Sequence, residues 1–168
     1  MVETNDRRLP VGIQSFEKIR KEGYLYVDKT DIIWQLANRN KTYHYLSRPR
    51  RFGKSVLVDT LEAYFMGKKE LFEGLKIMQL ETEWVKRPVI RLDMSRAGAE
   101  PETLRSYLDN TFDRLEKEYG ITPKPTAKLA DRFNAIIVGA YEQTGQQVAI
   151  LIDEYDSPLQ HSWKTPQH

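Results

Sequence analysis

Near the end of the sequence, Val148, Ala149, Ile150, Leu151 and Ile152 form an unbroken apolar run, and the next two residues, Asp153 and Glu154, are acidic. Such a run reads as a strand buried on both faces, the kind found in parallel sheets. A second run, Val89-Ile90-Arg91-Leu92-Asp93, follows Pro88 and reads as another core strand. Between the two, Glu100-Pro101-Glu102 gives an acidic helix start with proline in the first turn. That helix carries Leu104, Leu108, Phe112 and Leu115 and ends by Gly120. A further helical pattern, with Leu129, Phe133, Ile136, Ile137 and Tyr141, ends by Gly145. Strands alternating with helices predict an α/β fold with a parallel sheet.

The first half repeats that grammar. Ser15 is placed to cap a short helix closed by Gly23, and residues 24–27 read as extended. Asp28 or Thr30 then caps a helix with Ile32, Ile33 and Leu36 on its apolar side. Thr42, Tyr43, His44, Tyr45 and Leu46 favour a strand, with His44 packed or paired within it. Pro49 and its restricted neighbour Arg48 start a loop. From Ser55, Val56, Leu57, Thr60, Leu61 and Tyr64 recur at helical spacing until Gly67. With no repeat and no low-complexity linker, all 168 residues read as one domain.

Composition narrows the chemistry. The chain has no cysteine, which excludes disulfides, zinc–thiolate sites and cysteine nucleophiles within it. Its net charge of +2 does not call for nucleic acid or an anionic membrane. Residues 1–8 contain no apolar signal segment, and no apolar run approaches the roughly 20 residues that cross a bilayer. A soluble, cytoplasmic protein without membrane partners is expected.

Strand, loop, helix is the order that a phosphate-binding loop requires. Backbone N–H groups at a helix start face the phosphates, and glycine lets the chain approach them closely. Lysine reaches the β- and γ-phosphates, and the following hydroxyl ligates magnesium. Gly53, Lys54 and Ser55 fit these roles. The full G-x-x-x-x-G-K-[ST] pattern is not met, because its first position is Arg48. The bland alternative is a helix start with a solvated lysine, beside an exposed basic patch of Arg48, Arg50 and Arg51. The run that ends in Asp153 and Glu154 has the form of a Walker B strand. It would deliver Asp153 to the carboxyl edge of the sheet to hold magnesium, and Glu154 to activate water. Asp93 either approaches the same place or caps a loop.

Four segments carry a family likeness: Leu9-Pro10-Val11-Gly12-Ile13-Gln14-Ser15-Phe16, Gly23-Tyr24-Leu25-Tyr26-Val27-Asp28-Lys29-Thr30, the stretch 46–55 that ends Arg50-Arg51-Phe52-Gly53-Lys54-Ser55, and Leu71-Phe72-Glu73-Gly74-Leu75. Together they resemble the bacterial AAA-ATPase-like family, whose members commonly carry a C-terminal nuclease-like domain of the PD-(D/E)XK type. The resemblance implies a P-loop NTPase-type parallel sheet that binds ATP and Mg²⁺, with Walker A at about 47–55 and Walker B at 148–154. Arg50, Arg51, Phe52, Gly53, Lys54 and Ser55 would then bind nucleotide. Ser55 and Asp153 would hold the metal, and Glu154 would be catalytic. Arginine at position 48 becomes a family trait, and Tyr26, Asp28 and Lys29 are implied to lie near the nucleotide.

The family's sheet also has a strand after Walker B, lying between that strand and the P-loop strand. Residues 160–168 are too short and polar to supply it. The chain therefore reads as a fragment, in which the two motif strands pair directly or the sheet keeps a gap. Three functions stay open: an ATPase that needs further C-terminal or partner elements, a non-hydrolysing nucleotide switch, and a nucleic-acid-binding module using the loop arginines. A second copy of the chain and a nuclease-like domain are the protein partners expected.

Overall fold

The computed structural model describes residues 8–38, 43–47, 52–98, 100–124 and 126–157. The chain divides into two compact units, Met1–Lys86 and Arg87–His168. Among the described residues, no helix is long and apolar enough to cross a membrane.

The first unit is helical. Helix α1, Phe16–Lys21, starts at Ser15, whose hydroxyl accepts the Lys18 N–H at 3.3 Å. Gly23 turns the chain away at φ 69°. Helix α2, Thr30–Asn38, is capped by Asp28, whose Oδ1 accepts both the N–H and the hydroxyl of Thr30 at 2.9 and 2.7 Å. The other carboxylate oxygen of Asp28 accepts the Lys76 N–H at 2.8 Å, and Thr30 Oγ1 accepts the Ile77 N–H at 3.1 Å. One capping residue thus ties α2 to a 3-10 turn, Lys76–Gln79, far along the chain. Helix α3, Lys54–Phe65, completes the unit and buries Thr60, Ala63 and Tyr64. Phe16, Ile33, Tyr64, Phe72 and Ile77 form its core, and the Phe16 and Phe72 rings lie 5.0 Å apart. Removing an aromatic ring from such a position costs about 3–5 kcal/mol.

The second unit holds the sheet. Strands β1, Val89–Asp93, and β2, Ala149–Asp153, pair in parallel with register running from Val89↔Ala149 to Asp93↔Asp153. Helix α4, Pro101–Glu118, starts with proline in its first turn. Helix α5, Leu129–Thr144, ends at Gly145 in the left-handed region. Ile90 and Leu92 pack with Phe112, Leu115 and Ile136 from these helices, and the rings of Phe112 and Phe133 stack at 5.5 Å. Arg132 on α5 donates to Glu116, Asp113 and Asp109 on α4 at 2.6–2.8 Å. These acids recur at helical spacing, so one guanidinium clamps one face of α4.

Four expectations need correction. Residues 43–47 form no strand, and Tyr43 and Tyr45 are 91% and 72% exposed. High β-propensity gives no strand without a ladder partner and a surface to cover. His44, expected to be packed or paired, is exposed. Strand β2 is not buried on both faces: Leu151 and Asp153 are buried, but Ile150 and Ile152 are 40% and 49% exposed. Among the described residues β1 is the ladder partner of β2, which therefore keeps one edge of an edge strand. In α2 the buried isoleucine is Ile33, while Ile32 faces outward. Thr42, Arg48, Pro49, Arg50, Arg51 and residues 160–168 lie outside the described residues.

Candidate functional site

Gly53 is the N-cap of α3, with φ 71° and ψ 23°. Nothing lies within 4 Å of where its Cβ would stand, so what the protein itself demands there is the left-handed backbone, not space. Its carbonyl accepts the Leu57 N–H at 3.0 Å and so opens the helical ladder. Lys54 and Ser55 follow as the first two helical residues, both half-buried, while Phe52 is exposed. No side chain caps this helix at its N-cap and no acid lies in its first turn. Helices α1, α2, α4 and α5 each carry one there: Glu17, Asp31, Glu102 and Asp131. The N-terminus of a helix is its positive end, so a lysine there opposes the dipole by a few tenths of a kcal/mol or more. That arrangement becomes favourable when an anion meets both charges.

Asp153 closes β2 and is buried. Its Oδ1 accepts the N–H of Glu154 at 3.0 Å. Glu154 itself stands at φ 49°, in the left-handed region, and its carbonyl accepts the Ser157 N–H at 2.9 Å. A non-glycine residue held there costs about 1–2 kcal/mol and marks a turn that the surroundings impose. Register places Asp93 beside Asp153 at the carboxyl edge of the sheet. Of the two roles expected for Asp93, the structure gives it the cap. Its Oδ1 accepts the Ser95 N–H and hydroxyl at 3.1 and 2.6 Å, and Oδ2 accepts the Arg96 guanidinium at 3.1 Å.

Lys54 and Ser55 belong to the first unit, Asp153 and Glu154 to the second. Among the described residues no group of three or more His, Asp or Glu is gathered as for a metal ion held by protein alone. A hydroxyl and a carboxylate are nevertheless hard oxygen donors of the kind Mg²⁺ takes, since it keeps several waters and shares its shell with phosphate oxygens. Each donor, taken by itself, is chemically suited to that ion.

Residues implied to lie near the nucleotide have structural partners of their own. The Tyr26 ring meets that of Phe16 edge-on at 5.1 Å, its hydroxyl lies 3.5 Å from Thr60 Oγ1, and burial pushes its phenol up. For Asp28, burial works to raise the carboxyl, but hydrogen bonds from Thr30 and Lys76 outweigh it and hold the group below the usual range. Lys29 is exposed. Asp59 was not legible as important: its Oδ2 accepts the N–H of Phe16, 43 residues away, at 2.6 Å. No sequence pattern marks such a bond, because it exists only once α1 packs on α3.

The chain belongs to the AAA-ATPase-like family: the family model described as "Predicted AAA-ATPase" matches residues 10–168. It is similar to an uncharacterized protein in the vnfD 5′ region of Azotobacter chroococcum mcd 1, with 37% identity over 164 residues. That similarity covers 96% of this chain and 31% of the relative, so the chain spans about a third of the relative's length. No solved structure matches the chain.

Proposed function

We propose that the chain is part of a P-loop nucleotide-binding domain that takes ATP with Mg²⁺. The observation that carries this reading is the start of α3, where a left-handed glycine is followed by lysine and serine with no acid or side-chain cap. The N–H groups of the first turn and the Lys54 ammonium would hold the β- and γ-phosphates. Arg50, Arg51 and Phe52 would flank them. Ser55 and Asp153 would hold Mg²⁺, which when bound neutralises phosphate charge. Glu154 would accept a proton from the attacking water. Family membership and the apolar strand ending in Asp153 and Glu154 support the same reading. Turnover would draw on elements outside this chain, which corresponds to 31% of its relative. A nuclease-like domain or a second copy would be the partner.

Titration of the chain with MgATP by calorimetry tests the proposal. Wild type is expected to bind, Lys54→Ala to lose binding, and Glu154→Gln to bind without turnover. Equal affinity in Lys54→Ala and wild type would discard the site.

A further inference from the structure

Helix α3 is held unevenly along its length. Its buried residues are Thr60, Ala63 and Tyr64, whereas residues 54–59 are all half-buried. The fully buried anchors therefore lie in the C-terminal half, while in the N-terminal half Leu57 packs partly buried against the core and a directed bond from Asp59 adds to it. Asp59 stands at the boundary between the halves. It lies one turn after Ser55 on the same helix face, at i and i+4. Its carboxylate accepts the backbone N–H of Phe16 at 2.6 Å.

That donor is rigid. The Phe16 side chain is fully buried, with Tyr26 and Phe72 at 5.1 and 5.0 Å between ring centroids. The N–H is also one of the first-turn donors of α1, where a carboxylate is doubly favoured by hydrogen bonding and by the helix dipole. Ser15 already takes the Lys18 N–H, so the two oxygens divide the N-terminal donors of α1 between them. A second tie joins α1 to the chain just after α3, where Lys68 donates to Glu17 at 2.7 Å.

We propose that Asp59 is a positioning residue for the phosphate-binding end of α3, acting through the Phe16 N–H. The proposal rests on the nucleotide reading above. A charge-assisted hydrogen bond to an immobile backbone donor fixes where the first turn of α3 stands relative to the core. Lys54 and Ser55 take their places from it.

Calorimetry with MgATP on the 168-residue chain tests this, alongside far-UV circular dichroism. Asp59→Ala should keep its helical signal and bind ATP about tenfold or more weakly, the scale of loss that a small misplacement of a binding group causes. Asp59→Asn retains an acceptor oxygen and should stay within about twofold of wild type. Glu17→Gln loosens α1 at its other tie and should leave ATP affinity unchanged. Wild-type affinity in Asp59→Ala overturns the proposal, and so does an equal loss in Asp59→Ala and Asp59→Asn. Should Asp59→Ala not fold, Asp59→Glu takes its place, since one added methylene displaces the acceptor; wild-type affinity there overturns the proposal too. Failure of wild type to bind ATP, or binding by Lys54→Ala, strikes the nucleotide reading instead.

Discussion

At Gly53 the backbone turns to φ 71° immediately before Lys54, and at Glu154 it turns to φ 49° immediately after Asp153. Glycine makes the first turn without steric cost, whereas glutamate meets its own Cβ in the second. Opposite substitutions should therefore move stability in opposite directions. Gly53→Ala is expected to destabilise the chain by about 1 kcal/mol. Glu154→Gly should stabilise it by about 0.5–1 kcal/mol, after the added freedom of the unfolded chain is deducted. Urea denaturation reads both, and a lowered midpoint in Glu154→Gly would mean that its left-handed turn is not strained. The glycine and the lysine were legible in the sequence because they stand next to each other. The strain at Glu154 was not, since an acidic residue after an apolar strand does not announce its φ angle.

Between α4 and α5, the guanidinium of Arg132 faces Glu116, Asp113 and Asp109 and lies 5.7 Å from the centre of the Phe112 ring. Its hydrogen bond to Glu116, followed by that to Asp113, raises the arginine's affinity for its proton. Arg132→Met leaves Glu116 buried without its partner and should cost roughly 3 kcal/mol. Adding Glu116→Gln should recover most of that loss, and thermal melts of the single and double variants measure it. In the first unit the ties are carboxylates. Asp28 is held below its usual range as described, and in Glu81 burial is outweighed by the hydrogen bond from the Tyr64 hydroxyl and by backbone donors. A lowered carboxyl contributes stability above its unfolded value and loses it as pH falls through the folded value. Melting temperature should hold between pH 6 and the ordinary carboxylate range near pH 4, then fall. Asp28→Asn should flatten that fall, and an unchanged acid limb would show that Asp28 does not contribute to it. The Glu17 carboxyl, held down to about 2 by Lys21 and then Lys68, is solvent-facing, so its share should fade with added salt.

At the scale of the whole molecule, the proposed nucleotide function should show as ligand-dependent stability. MgATP at 100 times its dissociation constant should stabilise the chain by about 2.7 kcal/mol. That gain should vanish in Lys54→Ala and persist in Glu154→Gln. In Asp153→Asn it should lose its dependence on Mg²⁺ while ATP without metal still binds. A thermal shift series with ATP, with and without Mg²⁺, distinguishes these outcomes, and a Mg²⁺-independent shift in wild type would remove Asp153 from the metal site. The exposed isoleucines of β2 also belong to this scale. Ile150 and Ile152 have the apolar character of a fully buried strand, yet the surroundings of β2 leave them partly open.

The sequence by itself determined the local structure. Ser15, Gly23, Asp28, Pro101 and Gly145 act within a few residues of their own position, so caps and stops of four helices could be read from composition and spacing. The apolar runs at 89–93 and 148–152 likewise foretold both strands and a parallel sheet, though not that these two would be ladder partners. Only the tertiary structure decided which side of each element is covered. It buried Ile33 and not Ile32, left one face of β2 half-exposed, and kept residues 43–47 out of a ladder. It also set Asp59 against Phe16 and Arg132 against Glu116. Those outcomes depend on partners tens of residues away, and periodicity records a side chain's character without recording what will stand opposite it.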